Sequence, residues 1–306
     1  MAKKNKSRNN EKQEAGSGLE MLDMEQIGKK HKRKKNAFDY VRYAVMVVAA
    51  VVFVVAGYNL YSIFSEYAKG EQTYDEVANN FTNDATSGAV TATGDTVVPN
   101  GFTKVNVDFE SLQAANPDVK GWIQFEGLDI SYPVLQHPTD NNYYLKKMWD
   151  GNENTAGSIF MDVSNTADFE DANTFIYGHN MKNLSMFGKL KEYKDPENYA
   201  GKEYFWIYTP TANYRYVIFS VHEAKVDGGM FRTFVTQSDE FTQYLAQAKA
   251  DSRYDTGVAV TGEDQIVTLS TCTATGDKWR LLVQGKLVGT EKKQISESEQ
   301  GQEVVE

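Results

Sequence analysis

The sequence predicts a mainly β domain, an eight-stranded barrel with helical insertions, preceded by one membrane-spanning helix. Three observations predict it. Eight β-branched and aromatic runs recur between turn signals from Trp122 onward, few helical segments interrupt them, and an uncharged stretch of 22 residues, Tyr43–Phe64, stands ahead of them all. Eight short strands in one chain point to a barrel or a sandwich. With 306 residues, 41% apolar and 12% aromatic, the chain supports one sizeable core plus appendages rather than two large domains.

Taken in order, residues 1–36 are polar, basic and poor in aromatics, which predicts a disordered tail with at most a transient helical turn over Leu19–Ile27. This tail carries 11 Lys and Arg against 5 Asp and Glu, so it is positive by 6 while the rest of the chain is negative by 16. An acidic body gains nothing from phosphate neutralisation. The one basic run, Lys29–Lys35, directly precedes an apolar stretch, so the pattern disfavours nucleic-acid binding.

Residues 37–64 are read as a transmembrane anchor. The stretch Tyr43–Phe64 has no charged side chain, and its 22 residues at about 1.5 Å rise each cross a hydrocarbon layer of roughly 30 Å. Tyr40, Tyr43, Tyr58 and Tyr61 stand at interfacial positions. The polar segment ahead is long and the apolar run exceeds a signal h-region, which favours an uncleaved anchor. The basic run before it predicts a cytoplasmic N-terminus and an extracellular remainder.

Residues 65–104 read as an extracellular helix and linker: 66–82 can extend the helix, and 83–101 is small, polar and turn-prone. The folded domain is expected over 105–290. Its helices are Asp108–Ala115 with Asp108 as N-cap, Leu184–Tyr193, and Ser238–Ala250, where Phe241, Leu245 and Ala248 share a face. Its strands are Trp122–Phe125, Ile130–Val134, Ser158–Met161, Thr174–Tyr177, Tyr204–Tyr208, Tyr214–Val221, Ile266–Ser270 and Arg280–Val288. Residues 291–306, mostly Glu, Gln, Lys and Ser, are expected to lie outside the core.

The chain has a single cysteine, Cys272, which excludes an intramolecular disulfide and any zinc site built from several thiolates. An unpaired thiol outside the cytoplasm is unusual unless it has chemistry to do. Cys272 ends the strand IVTLSTC, a polar stretch follows, and Arg280 returns on the next strand. There a fixed cation can attract a thiolate and later hold a developing oxyanion. Of four histidines, His31 falls in the tail, His137 in a Pro-bounded loop and His222 at the end of a long strand, where a surface or satisfied edge role suffices. His179 follows the run TFIYG, so it sits at the end of a buried strand where a loop can aim it into a cleft. Ser270, two residues before the thiol in an alternating strand, would share its face and can bind substrate. Asp277 lies in the loop before Arg280 and is an ordinary turn residue on this reading.

TLSTC at Thr268–Cys272 followed by Arg280, NTFIYGHNM at Asn173–Met181, YPVLQ at Tyr132–Gln136, NNYYL at Asn141–Leu145 and GSIFMD at Gly157–Asp162 together resemble the sortase transpeptidases, class B above all. DFESLQAANPDVKGWI at Asp108–Ile123 belongs to the same resemblance, which covers roughly residues 105–289. The combination is specific where any one motif is weak. The resemblance implies an eight-stranded sortase barrel on a Gram-positive-type surface, cleaving a C-terminal sorting signal similar to NPxTN or a Pro-x-Thr-Gly variant. The acyl group would pass to an amine of a peptidoglycan precursor or a pilin lysine. Cys272 would be the nucleophile, His179 the proton-transfer partner, Arg280 the oxyanion or substrate clamp and Ser270 a substrate contact, with no metal, calcium or nucleotide cofactor. Two rivals remain: a surface cysteine peptidase releasing the acyl group to water, which product analysis with an added amine separates, and a non-catalytic membrane-tethered binding module, which thiol alkylation kinetics separate.

Overall fold

The computed structural model describes residues 36–85, 90–99, 101–273, 276 and 278–293. The tail through residue 35 with its His31 and Leu19–Ile27, the end of the chain from residue 294, and Asp277 lie outside the described residues. Two units divide the chain, Met1–Tyr58 and Asn59–Glu306. In the first, the described residues form the N-terminal part of helix α1, Ala37–Phe81, with its apolar side chains exposed. Among the described residues α1 is the one helix long and apolar enough to cross a membrane.

In the second unit eight strands close into a barrel: β4 (Val119–Phe125), β5 (Ser131–Leu135), β6 (Ile159–Met161), β7 (Asn173–Tyr177), β8 (Tyr204–Tyr208), β9 (Ala212–Lys225), β10 (Ile266–Cys272) and β11 (Trp279–Lys293). Around the ring the order is β10, β7, β6, β5, β4, β8, β9, β11, and β11 pairs back onto β10. Closure leaves these eight no common open edge, which is how a mainly antiparallel sheet avoids unpaired backbone groups. Two neighbours are parallel, β10 with β7 and β5 with β6. All eight runs read as strands are strands, β4, β9, β10 and β11 extending furthest beyond the expected bounds.

Aromatic residues fill the core. Trp122, Trp206, Tyr216 and Phe205 are fully buried, and Phe205 stacks on Tyr216 with centroids 5.2 Å apart. That contact leaves no room above Gly285 in β11, where a Cβ would meet the Phe205 ring at 2.4 Å. Helix α2, Phe109–Ala115, starts at Asp108 as expected, its carboxylate accepting from Ser111 N at 3.0 Å. Helix α3, Asp239–Asp251, is capped by Ser238 and buries Phe241, Leu245 and Ala248 in a second cluster with Phe219, Ile266 and Leu282 of the barrel wall.

Two segments differ from expectation. Residues 83–101 contribute to the sheets: β1 (Thr82–Asp84) pairs with β3 (Val105–Val107), and β2 (Val90–Gly94) lies antiparallel on β11. The small Thr and Ala side chains of β2 give no burial signal; its strand state comes from the ladder that β11 offers. Leu184–Tyr193 is not one helix. Leu184 and Met186 have φ of 68° and 55°, a left-handed conformation that cannot continue an α-helix, and only the 3-10 stretch Gly188–Lys194 follows. Helix α1 does continue through 66–81, as expected, and packs on the barrel through Gly70, Tyr74 and Val77, one helical stripe. Tyr74 donates to the carbonyl of Gly157 at 2.6 Å and meets Tyr132 edge-on at 5.3 Å.

Candidate active site

The barrel topology brings distant residues to one rim. Because β7 and β10 run parallel, their C-terminal ends exit on the same side, with Tyr177 in register with Ser270. Gly178 N donates to Ser270 O at 3.1 Å and carries the pairing one step further. Two residues past each register partner stand His179 and Cys272. On the other flank β11 is antiparallel, and Arg280 is the direct partner of Cys272. Cys272 is therefore bracketed by the histidine on one neighbouring strand and the arginine on the other.

These three residues and Ser270 line one cleft of about 250 Å³. Leu145, Phe160, Tyr177, Val226 and Phe231 make its walls mainly apolar, with Asn141 and Asn142 at one side. Cys272 is exposed, although the six preceding residues of β10 are buried. A buried strand that ends in an exposed thiol presents the sulfur on a rigid base.

His179 is held by its surroundings. Its Nε2 lies 2.6 Å from the carbonyl oxygen of Leu145. A carbonyl only accepts, so Nε2 carries the hydrogen and Nδ1 is left to exchange a proton with a reactant. The carbonyl of His179 accepts from Phe187 N at 3.0 Å, and Asn180 Nδ2 donates to the carbonyl of Cys272 at 2.9 Å. Gly178, just before the histidine, lies where a Cβ would strike Ile159 and the Phe187 ring at 2.5 and 2.6 Å. Only glycine fits that close approach.

Ser270 lines the cleft beside Thr271, whose hydroxyl is likewise unpartnered among the described residues. The Ser270 side-chain oxygen is buried and, among the described residues, has no hydrogen-bond partner. A donor or acceptor left unpaired this way costs about 1–3 kcal/mol, so a polar group entering the cleft gains by meeting it. Tyr177 on the wall donates to Asp162 at 2.8 Å, and burial with that carboxylate's charge pushes its phenol far above the usual range, keeping it a neutral donor. The guanidinium of Arg280 is anchored through Nη1 to the carbonyl of Trp279 at 3.0 Å.

The other two described histidines stay away from the cleft lining. His137 stacks on Tyr143 at 4.4 Å and accepts from Asp140 N at 3.0 Å. His222 is neither a surface nor an edge residue: it is 2% exposed, with Nδ1 beside Ser220 and Nε2 unpartnered, because α3 covers that part of β9. Burial pulls its pKa down to about 4, so it is neutral near pH 7. Among the described residues no cluster of His, Cys, Asp and Glu is arranged to hold a metal ion. Sequence reading missed the role of Asn180 and the apolar walls: Leu145, Val226 and Phe231 are remote in sequence from Cys272, and nothing local marks Phe160 of β6 or Tyr177 of β7 as cleft lining.

Comparison with known proteins places this geometry. A family model described as Sortase domain matches residues 123–288. Sortase B of Listeria monocytogenes is 37% identical over 228 residues, 74% of this chain and 92% of that protein. The crystal structure of sortase B from B. anthracis in complex with AAEK1 superposes with a TM-score of 0.61 at 32% identity, covering 74% of this chain and 99% of that one. The Staphylococcus aureus sortase B–substrate complex gives 0.55 at 32% identity, covering 59% and 84%.

Proposed function

The chain belongs to the sortase family, class B, and is a cysteine transpeptidase of the cell surface; on that premise we propose that Cys272, His179 and Arg280 carry the reaction. The observation that supports this most is the register of β10, which sets Cys272 opposite Arg280 and beside the strand that leads to His179.

On this reading the Cys272 thiolate adds to the scissile carbonyl of a C-terminal sorting signal. The oxyanion is held by Arg280 and nearby backbone N–H groups. His179 as imidazolium gives its proton to the leaving amine, the C–N bond breaks, and a thioester to Cys272 remains. An incoming amine, from a peptidoglycan precursor cross-bridge or a pilin lysine, gives its proton to neutral His179. It attacks the thioester, regenerates the thiolate and leaves a new amide. One amide replaces another, so the sequence needs no redox partner and no nucleotide. Ser270 meets a polar group of the substrate, and Leu145, Val226 and Phe231 pack its apolar side chains.

The anchor belongs to the same reading. Residues 43–64 cross the membrane with the N-terminus cytoplasmic and the barrel outside, where secreted proteins bearing the signal arrive. The test is mass spectrometry of the full chain incubated with sorting-type peptides similar to NPxTN, with and without an amine acceptor. An acyl adduct on Cys272 that passes to the amine is the expected result. Cleavage by a Cys272→Ala protein would remove the basis of the mechanism.

A further inference from the structure

Outside the catalytic cleft, a groove of about 470 Å³ lies between α1 and the loop that follows His179. One side is the end of the uncharged stretch: Leu60, Ile63 and Phe64, which are 56, 48 and 64% exposed, followed by Tyr67. The other side is Met181 and Lys182. Among the described residues Lys182 has no acidic group within ion-pair distance. Glu66, also on the groove, already accepts from Thr155 N at 2.9 Å, and Glu71 from Asn183 at 2.8 Å. The same loop reaches Cys272 through Asn180.

We propose that this groove is a lipid-contact surface that seats a phospholipid of the outer leaflet, its acyl chain on Leu60, Ile63 and Phe64 and its anionic headgroup at Lys182. The proposal rests on the membrane reading of residues 43–64. If that stretch spans the bilayer, Phe64 stands where hydrocarbon gives way to headgroups, and Met181 and Lys182 beside it stand at the same height. Three large apolar side chains left open there are covered by the medium that surrounds the stretch they end. A lysine on a long aliphatic stem at that level extends its ammonium to the phosphate layer. The consequence is positional: the loop between His179 and α1 rests on the membrane surface, so the cleft is held at a fixed height above it.

The experiment uses the full chain in nanodiscs of phosphatidylglycerol or of phosphatidylcholine, each carrying a phospholipid with a photoactivatable acyl chain, with adducts mapped by mass spectrometry. Adducts are expected on residues 43–64 and also on Met181 and Lys182. Lys182→Gln should lower the adduct at 181 and 182 in phosphatidylglycerol about fivefold, the ratio expected for one lysine at an anionic surface, and leave residues 43–58 unchanged. Labelling of residues 43–58 with none at 181 and 182 in either lipid overturns the proposal while the membrane reading stands. Equal labelling at Lys182 in both lipids overturns the headgroup assignment. Absence of adducts over the whole of 37–64 sinks the membrane reading and the groove with it.

Discussion

Asn180 donates through Nδ2 to the backbone carbonyl of Cys272 at 2.9 Å, so the residue after the histidine is bonded to the residue that bears the thiol. It prolongs the β7–β10 pairing past the last ladder bond. An exposed hydrogen bond of this kind contributes about 1 kcal/mol to stability, so Asn180→Ala should fold normally. Its effect should fall on alignment: kcat drops about 10- to 100-fold with KM nearly unchanged, as a small misplacement of reacting groups does. Steady-state kinetics beside a thermal melt checks this. An unchanged kcat would take the bond out of the account of the site.

The three proposed catalytic side chains separate by magnitude. Cys272→Ala should form no acyl adduct. His179→Ala should lower kcat by about 100- to 10,000-fold through loss of proton transfer. Arg280→Ala should lower it by about 100- to 1000-fold, and Arg280→Lys should recover only part, because lysine lacks the planar fork. Transpeptidation rates with a fixed peptide and amine decide it. An Arg280→Ala enzyme with normal kcat would assign the oxyanion to backbone groups alone.

How much of this was legible beforehand follows from the kind of signal each residue gives. Runs such as IVTLSTC and TFIYG advertise strands because β-branched and aromatic residues fill both faces, and the thiol and imidazole stand out at their ends. β2 carries no such signal; Thr91, Ala92 and Thr93 become a strand because β11 is long enough to offer them an edge. The segment after His179 has helical spacing, but its geometry is set by remote partners: Phe187 N bonds back to His179 and Met186 N donates to Tyr132 Oη at 3.1 Å. His222 looked like an edge residue because nothing local announces that α3 folds over it. The cleft walls were invisible for the same reason, since Leu145, Val226 and Phe231 meet only after the barrel closes.

Arg215 in β9 is 3% exposed and bidentate to Glu126, at 2.7 and 3.0 Å, with Asp95 at 2.8 Å and the Tyr204 ring beneath it at 3.8 Å. Removing one partner strands the other charge in the interior. Arg215→Ala should cost about 3–5 kcal/mol, whereas Arg215→Met with Glu126→Leu should recover most of it. Denaturant unfolding of the two variants tests the point. A double variant no better than the single one would show that packing, not charge, is lost.

Acid should destabilise the fold through His222. An unfolded histidine takes up its proton near pH 6.5, the folded one only near pH 4, so the unfolded state binds more protons between these values. The stabilisation is fully present above about pH 6.5 and is lost as pH falls toward about 4, on the order of 3 kcal/mol in all. The charge of Asp251 opposes the shift without outweighing burial. Unfolding free energies measured across that window should fall for the native chain and stay flatter for His222→Gln. Parallel pH profiles for the two proteins would place the acid sensitivity elsewhere.

Ser270 sets stability against activity. Its buried oxygen is unpaired in the free protein, which is a cost to the fold, and it lines the cleft where a substrate amide or hydroxyl can satisfy it. Ser270→Ala removes the unpaired hydroxyl and leaves only the Cβ methyl. The variant should therefore be more stable by about 1 kcal/mol and poorer in kcat/KM by about tenfold, the value of one hydrogen bond made only with substrate. Ser270→Thr keeps the hydroxyl but crowds a site 2% exposed, so it should lose activity without the gain in stability. Calorimetry and peptide kinetics on the same preparations distinguish these outcomes. If Ser270→Ala were both less stable and fully active, the hydroxyl would be bonding within the fold and not to the substrate.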